Sequence, residues 1–230
     1  MVTLRLAPVA EHALLVEFGE TIDDATSERI VALDRALAAA APDGLREVVP
    51  GMVNLLVDFD PLVTDHARIE AAVRDCLTRP VPASAAGTRR EVEVCYDPDL
   101  GTDLSAVAEQ TGLGVDAVIA AHLGGDYRVR MYGFTPGYAY MSGTPAAIQL
   151  PRKPAAIRGV PAGSVIIAGP QCIVTTLLMP AGWWVLGRSP TRILTGDEDQ
   201  PFLFDVGDAV RMRRIGRDDY ERKARREDPA

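Results

Sequence analysis

His122 is the residue of this sequence best suited to move a proton. It lies seven residues after Val115 on the apolar face of a predicted helix, which ends just before Gly124 and Gly125. The carbonyl end of a helix favours the charged imidazolium, whereas burial opposes it. The pattern therefore allows a tunable acid or base, or a histidine that only secures the helix end, and the residues alone favour the second interpretation.

Arg152 stands beside Lys153 in the segment LPRKP, where the flanking prolines restrict the loop. Its guanidinium suits a carboxylate or a phosphate, which it can bind through two parallel hydrogen bonds. A solvated turn explains the same residues equally well, so both interpretations stay open.

Ser164 begins a predicted strand after the turn VPAG, residues 160–163, which has Pro and Gly where a type I turn favours them. It lacks the GxSxG elbow and has no histidine nearby in the sequence, which argues against a nucleophile. We expect its hydroxyl to bind a ligand or the backbone of the turn.

Aromatic and glycine-rich segments indicate a pocket wall. Residues 132–145, YGFTPGYAYMSGTP, hold three Gly, two Pro and three Tyr and no charged side chain. Such a loop either packs closely on a barrel or lines a pocket. The adjacent indoles Trp183 and Trp184 follow Pro-Ala-Gly, and because side chains alternate along a strand, one ring is expected in the core and the other in a wall.

Several classes of function are disfavoured by what the sequence lacks. No GK[ST] motif occurs, so there is no P-loop, and no MKM-like lysine is present to carry biotin. The three cysteines form no CxxC pair, and the sequence offers no ligand set for a metal. The net charge of −8 repels phosphate backbones, which disfavours nucleic acid as a partner.

The first 80 residues predict a small sheet with helices on one face. LLVEF at residues 14–18 returns as LLVDF at 55–59, and a helical pattern follows each copy. Asp23 or Asp24 is expected to cap the first helix, with Ile30, Leu33 and Leu37 on one face. The second has Ile69, Val73 and Leu77. The predicted order is ββαββα.

The rest of the chain predicts two short helices, at 103–110 and 115–122, and then short β-rich runs separated by Gly/Pro turns, as in a barrel or sandwich. We therefore expect an α+β N-terminal domain over residues 1–82, a linker over 83–89, a mostly-β barrel domain over 90–216 and an exposed charged tail over 217–230.

No apolar run reaches membrane-spanning length, and the N-terminus lacks the basic start and long apolar stretch of a signal peptide. The expected location is the cytoplasm, without a membrane partner.

The order of the segments resembles one known family, the Kip-type kinase-A inhibitor proteins, also called the B-type subunits of 5-oxoprolinase and allophanate hydrolase subunit 1. The resemblance covers nearly the whole chain. It rests on ALLVEFG, REVVPG, LLVDFDP, VCYDPDLG, LGVDAVIAAH, YGFTPGYAYMSG, LPRKP, VPAGSVIIAG with Gln171, PAGWWVLGRSP and GDAVRM.

This resemblance implies a cyclophilin-like barrel in the second half and a partner that is a C-type subunit of 5-oxoprolinase, the allophanate hydrolase subunit 2 type. With a third subunit, such a complex opens the lactam of 5-oxoproline to glutamate using ATP, which this chain is not expected to bind through a P-loop. Alone, the chain is expected to be inactive. Two alternatives remain: an inhibitor of a histidine kinase, and a component like a carboxyltransferase or allophanate hydrolase in urea or related amide metabolism, with biotin carried only by a partner.

The family signature also implies the site. Arg152 would hold a substrate carboxylate, backbone N–H groups around Gly163 and Ser164 would polarise a carbonyl, and His122 would move protons. The remaining expected substrate-binding residues are Gly133, Phe134, Pro136, Gly137, Tyr138, Tyr140, Pro161 and Trp183.

The chain departs from the family pattern at Ala156, Ile157, Thr175, Thr176 and Ala181. Because these positions are expected to cluster in the pocket, they put the identity of the substrate in question.

Overall fold

The structure is a computed structural model that describes residues 4–78 and 87–227. The chain divides into two compact units, one before and one after the boundary between Gly87 and Thr88. Among the described helices, none is long and apolar enough to cross a membrane.

The first unit is a four-stranded antiparallel sheet with two helices. Its elements are β1 (Arg5–Val9), β2 (Ala13–Glu17), α1 (Asp24–Ala40), β3 (Leu45–Pro50), β4 (Asn54–Phe59) and α2 (His66–Thr78), and the strand order is β1-β2-β4-β3. The two similar strands noted in the sequence are β2 and β4, which are neighbours in the sheet.

The core of this unit follows from the periodicities of its elements. Alternate residues of β2 and β4 are buried against the helices. Asp23 caps α1, because its carboxylate accepts a hydrogen bond of 2.7 Å from the backbone of Thr26. The expected buried face of α1 is confirmed, whereas α2 buries Cys76 where Leu77 was expected and leaves Leu77 partly buried.

The second unit is built on a seven-stranded mixed sheet. Its order is β12-β9-β10-β7-β6-β13-β5, and β13 and β5 are parallel. The bounds are β5 (Arg89–Val94), β6 (Tyr127–Tyr132), β7 (Ala139–Ser142), β9 (Ser164–Ala168), β10 (Gln171–Val174), β12 (Trp184–Arg188) and β13 (Ala209–Arg214).

A single bridge nearly closes this sheet into a barrel. Cys95, directly after β5, pairs with Arg188 at the end of β12 through two backbone hydrogen bonds of 2.8 and 2.9 Å. These elements belong to the two edges of the sheet, so the pairing joins its first strand to its last. The expected mostly-β second half is thus observed as a nearly closed mixed barrel.

Further elements cover this barrel. Helices α3 (Leu104–Thr111) and α4 (Val115–Leu123) contribute apolar side chains to its interior core. A separate two-stranded sheet, β8 (Ile157–Val160) with β11 (Met179–Ala181), contributes to a second cluster together with outward-facing residues of β9, β10 and β12. The barrel wall is therefore apolar on both faces here.

The prediction of an exposed tail over residues 217–230 is wrong for its described part. Residues Arg217–Glu227 form α5, with Arg217 bonded to Glu221 one turn on and to Asp99 at 2.7 Å. Lys223 also pairs with Glu93 of β5, and Tyr220 packs on a small buried cluster. Opposite charges spaced four residues apart stabilise a helix. The prediction of a tail considered only the charged composition of the segment and not this spacing.

Most of the expected linker, residues 83–89, lies outside the described residues. Its last residue, Arg89, already belongs to β5 and pairs with Ala209 of β13.

Candidate functional site

An open hollow on the outer face of the barrel brings together the aromatic loop and the LPRKP segment. We call it the outer hollow, and its volume is about 290 Å³. The residues lining it are Phe134, Tyr138, Tyr140, Arg152, Lys153, Ala156, Pro180, Ala181, Gly182 and Trp183.

The hollow lies outside the barrel because of the alternation along β7. Ala139 and Met141 of this strand pack in the interior core, whereas Tyr138 and Tyr140 join the cluster on the opposite face. The same alternation separates the indoles, with Trp184 in the interior core and Trp183 in the wall of the hollow, as expected. The barrel interior is filled by side chains, so the hollow lies on the surface of the barrel.

A continuous row of rings forms the wall of this hollow. The ring centroids of Phe134 and Tyr138 are 5.5 Å apart, those of Tyr138 and Tyr140 are 5.4 Å apart, and those of Tyr140 and Trp183 are 6.0 Å apart. Burial raises the pKa of Tyr138 to about 12, and the nearby charge of Arg152 only partly offsets it. Tyr138 is therefore uncharged at neutral pH.

Arg152 is the exposed cation at this wall. Its guanidinium carbon lies 5.5 Å from the centroid of the Trp183 ring, within the range of a cation–π contact. The backbone on both sides of it is fixed, since Trp184 donates its indole N–H to Pro151 at 2.8 Å and Lys153 donates its N–H to Gly182 at 2.8 Å. A guanidinium over an aromatic face, on an anchored backbone, is suited to bind the carboxylate of a small, flat acid.

The loop between β6 and β7 places Phe134 at the mouth. Phe134 has a φ of 70° and is 69% exposed. Gly137 also has a φ of 70°, and a Cβ at this position would lie 2.7 Å from a methyl carbon of Leu194. The hydroxyl of Thr176 fixes the loop by donating to the carbonyl of Pro136 at 2.8 Å. Gly137 and Pro136 thus shape the loop and do not line the hollow.

His122 is not part of the outer hollow. It is fully buried, its Nδ1 lies 2.7 Å from the hydroxyl of Tyr96, and its Nε2 lies 3.6 Å from the sulfur of Cys172. Burial lowers its pKa to about 3, so the ring is neutral at physiological pH. The carbonyl of His122 also accepts a hydrogen bond from Tyr127. These contacts match the interpretation that the histidine secures the helix end.

The backbone donors expected to polarise a carbonyl are already occupied. The N–H of Gly163 donates to the carbonyl of Thr175 at 2.7 Å, and the N–H of Ser164 donates to the hydroxyl of Thr175 at 2.9 Å. A donor that is bonded within the protein cannot stabilise a developing oxyanion. The expected arrangement of Arg152, Gly163, Ser164 and His122 therefore does not form in this chain.

Gly163 instead lines a second hollow, of about 440 Å³, next to α5. With φ at 77° and a Cβ position 2.5 Å from the carbonyl oxygen of Ser189, Gly163 is required by the tight backbone. The carbonyl of Pro161 accepts a hydrogen bond from the hydroxyl of Thr175, and Ser164 is wholly buried. The hydroxyls of Thr175, Thr176, Ser189 and Thr191 all bond within the protein, which leaves few groups for a ligand.

The departures from the family pattern do not form one cluster. Ala156 and Ala181 line the outer hollow, Thr175 and Thr176 line the second hollow, and Ile157 is 44% exposed on β8. The expectation that they gather in one pocket is wrong, because Ala156 and Ala181 line one hollow and Thr175 and Thr176 line another.

Of the remaining expected binding residues, Gly133 borders the mouth without lining it. Lys153, Pro180 and Gly182 also line the hollow and were not expected there from the sequence. Lys153 directly follows Arg152, and Pro180 and Gly182 lie just before Trp183, so adjacency to expected residues was the available signal. Within residues 4–78 and 87–227 no group of three or more His, Cys, Asp or Glu side chains is placed to hold a metal.

Comparison with known proteins identifies the family. The model of the carboxyltransferase domain, subdomains C and D, matches residues 4–204. The chain belongs to this family. The resemblance noted in the motifs is thereby confirmed.

Curated relatives of this carboxyltransferase-domain protein match along most of their length. The B-type subunit of 5-oxoprolinase from Bacillus subtilis (strain 168) is 31% identical over 230 residues, which are 95% of this chain and 96% of the relative. The corresponding B-type subunit from Escherichia coli O157:H7 is 30% identical over 208 residues, with 89% and 93% covered.

Solved structures share the fold. The crystal structure of TTHA0988 superposes with a TM-score of 0.80 at 34% identity and covers 89% of this chain, which spans only 40% of that protein. The Kluyveromyces lactis urea amidolyase superposes with a TM-score of 0.73 at 14% identity, over 95% of this chain and 15% of its own length, and shows a shared fold alone.

Proposed function

We propose that this chain is the B-type subunit of a 5-oxoprolinase complex, which opens the lactam of 5-oxoproline to glutamate with the use of ATP. The observation that carries the proposal is the outer hollow, where Arg152 stands over Trp183 beside a row of uncharged rings. The curated relatives, which are named as B-type subunits of 5-oxoprolinase, support the same assignment.

The hollow fits the chemistry of this substrate. 5-Oxoproline is a small five-membered lactam with one carboxylate, and Arg152 offers the two parallel donors that a carboxylate accepts. The faces of Tyr140 and Trp183 provide an apolar surface for the ring. This chain therefore binds and orients the acid.

The groups that cleave the C–N bond come from partners. Water must add to the lactam carbonyl while the ring nitrogen leaves as an amine, and ATP hydrolysis drives the step. His122 is neutral and sealed in the barrel, and the N–H groups of Gly163 and Ser164 are occupied. We therefore propose that two partners, one of the C type and one further protein, complete the site in the cytoplasm, where ATP is available, and that the barrel is of the cyclophilin type.

The test is to purify the chain with the products of its neighbouring genes and to measure ATP-dependent glutamate release from 5-oxoproline. The intact complex is expected to be active, and Arg152→Met is expected to lower its kcat/KM by about a hundredfold, as for loss of a charged hydrogen-bonding partner. Arg158→Met, which removes an exposed arginine of β8, is the matched control and should retain activity. An assembled complex that releases no glutamate would refute the proposal.

A carboxyltransferase component is the second candidate, favoured by the family match itself. It requires a biotin-carrying partner. Co-purification with a biotinylated protein, detected with labelled streptavidin, together with no release of glutamate from 5-oxoproline, would select it.

A further inference from the structure

The carboxylate of Asp103 forms an ion pair with Lys153, a residue that lines the outer hollow. Asp103 stands at the N-terminus of α3, where an acidic residue often caps the helix, but its side chain makes no capping hydrogen bond. Its Oδ2 instead accepts hydrogen bonds from the ammonium of Lys153 and, at 2.7 Å, from the backbone N–H of Val185. The carboxylate thus binds both the loop that carries Arg152 and strand β12.

This pair is nearly closed off from water. The side chains of Lys153 and Asp103 are 9% and 14% exposed. The ammonium of Lys153 also lies 5.2 Å from the centroid of the Trp184 ring. Lys153 lines the hollow, but the positive charge of its ammonium is neutralised by the carboxylate of Asp103.

Arg152 differs from its neighbour in both respects. It is exposed, and it forms no ion pair with any residue in the described part of the chain. Arg152 and Lys153 are the charged side chains among those lining the hollow. With Lys153 neutralised, the hollow presents one uncompensated positive charge to a ligand.

We infer that the Asp103–Lys153 pair sets the charge selectivity of the outer hollow, so that it accepts an acid with one carboxylate and rejects a similar acid with two. A second carboxylate would lose water without gaining a cation, because Lys153 is occupied and Asp103 repels it. Asp103 is then a specificity-determining residue that acts through Lys153. The inference rests on the proposed function for the choice of this hollow as the ligand site.

The test measures binding by the full chain, and therefore does not depend on hydrolysis. The probes are cyclopentanecarboxylate and cis-cyclopentane-1,3-dicarboxylate, which share a five-membered ring and differ in one carboxylate. Affinities are measured by isothermal titration calorimetry at low ionic strength, because salt weakens exposed charge interactions. The wild-type chain should bind the monocarboxylate about tenfold more tightly than the dicarboxylate.

Two substitutions and their combination isolate the pair. Asp103→Asn keeps an acceptor for the N–H of Val185 and frees the ammonium, and should shift the preference toward the dicarboxylate by about tenfold or more. Lys153→Met leaves an unpaired carboxylate beside the hollow and should weaken binding of both acids. The double variant has neither charge and should regain the wild-type preference for the monocarboxylate.

A purely structural role predicts a different pattern. If the pair only ties α3 to the loop, Asp103→Asn will weaken the binding of both acids in parallel. The ratio of their two affinities will then stay unchanged, and this result overturns the inference. No binding of the monocarboxylate by the wild-type chain would overturn it as well. Because the double variant buries no unpaired charge, it remains a valid test even where a single variant folds poorly.

Asp208→Asn provides the matched control. Asp208 is 1% exposed, pairs with Arg90 at 3.1 Å and accepts a backbone hydrogen bond from Thr88, and it does not line the outer hollow. This variant should lower stability and leave the ratio of the two affinities unchanged. A changed ratio here would show that loss of any buried ion pair alters the hollow, and would overturn the specific role of Asp103. Glutamate release by the assembled complex, measured separately, decides the proposed function.

Discussion

The barrel interior around His122 and the outer hollow around Arg152 lie on opposite faces of one sheet and treat polar groups differently. In the interior, the polar atoms of His122, Tyr96 and Tyr127 find partners with one another, and burial holds the phenols and the imidazole neutral. In the hollow, Arg152 keeps its charge exposed and lies over the aromatic face of Trp183. We therefore expect substitutions in the interior to change stability and substitutions in the hollow to change binding.

This contrast explains why residue type alone misleads about function. Histidine is the usual proton carrier in enzymes, yet here it has no path to a ligand. An arginine between prolines, such as Arg152, is equally explained by a solvated turn. The fold nevertheless places its guanidinium over the ring of Trp183. The difference arises from the face of the sheet on which each residue lies, and four substitutions or conditions test it.

The largest expected effect is on the interior. His122→Ala removes the partner of the Tyr96 hydroxyl and leaves a cavity, so it should lower the free energy of unfolding by about 3 kcal/mol or more. Urea denaturation of the full chain measures this. His12→Ala, at a half-exposed histidine of the first unit, should change stability by less than about 0.5 kcal/mol. Loss of ligand binding without loss of stability would place His122 in the functional site.

The hollow should respond in the opposite way. Arg152→Met should weaken binding of 5-oxoproline by about tenfold or more, because a charged donor pair is lost. The melting temperature should stay within about 2 °C, since Arg152 forms no ion pair with described residues. Calorimetric titration and thermal unfolding on the same sample give both values, and a large drop in melting temperature would contradict the comparison.

The pH dependence of stability should report on His122. Its folded pKa of about 3 lies below the value of 6.5 for a free imidazole, so the unfolded chain binds more protons between these values. The stability that depends on neutral His122 is complete above pH 6.5 and falls by about 1.4 kcal/mol per pH unit below it.

His122→Asn is the reference for that measurement, because it does not titrate and can still accept a hydrogen bond from Tyr96. The difference in unfolding free energy between wild type and variant, measured from pH 7 to pH 4, should shrink as the pH falls. A constant difference would mean that His122 does not stay neutral in the folded state.

The smallest effect is expected at the mouth of the hollow. Phe134 adopts a positive φ that favours glycine, so Phe134→Gly should be more stable than Phe134→Ala by about 1 kcal/mol, although both lack the ring. Thermal unfolding of the two variants decides the point. Equal stabilities would show that this backbone conformation relaxes without cost.

Local patterns predicted much of this molecule. A cap at Asp23 or Asp24, the buried face of α1, the helices around residues 104–111 and 115–123 and the opposite facing of Trp183 and Trp184 were all readable from the sequence, and the structure selects Asp23 as the cap. Each depends on residues within a few positions of one another. The tail was mispredicted because mixed charges are typical both of solvated segments and of helices held by ion pairs.

The sequence by itself determined where helices α1 to α4 lie and which face of α1 is buried, since periodicity and capping are local. Only the tertiary structure decided that the pairing of Cys95 with Arg188 nearly closes the barrel, that His122 is sealed inside it and that Thr175 occupies the N–H groups of Gly163 and Ser164. It also decided that Asp103 reaches Lys153 across fifty positions of the chain. The physical reason is that burial and the partners of polar groups depend on contacts between residues far apart in the chain, which local spacing does not encode.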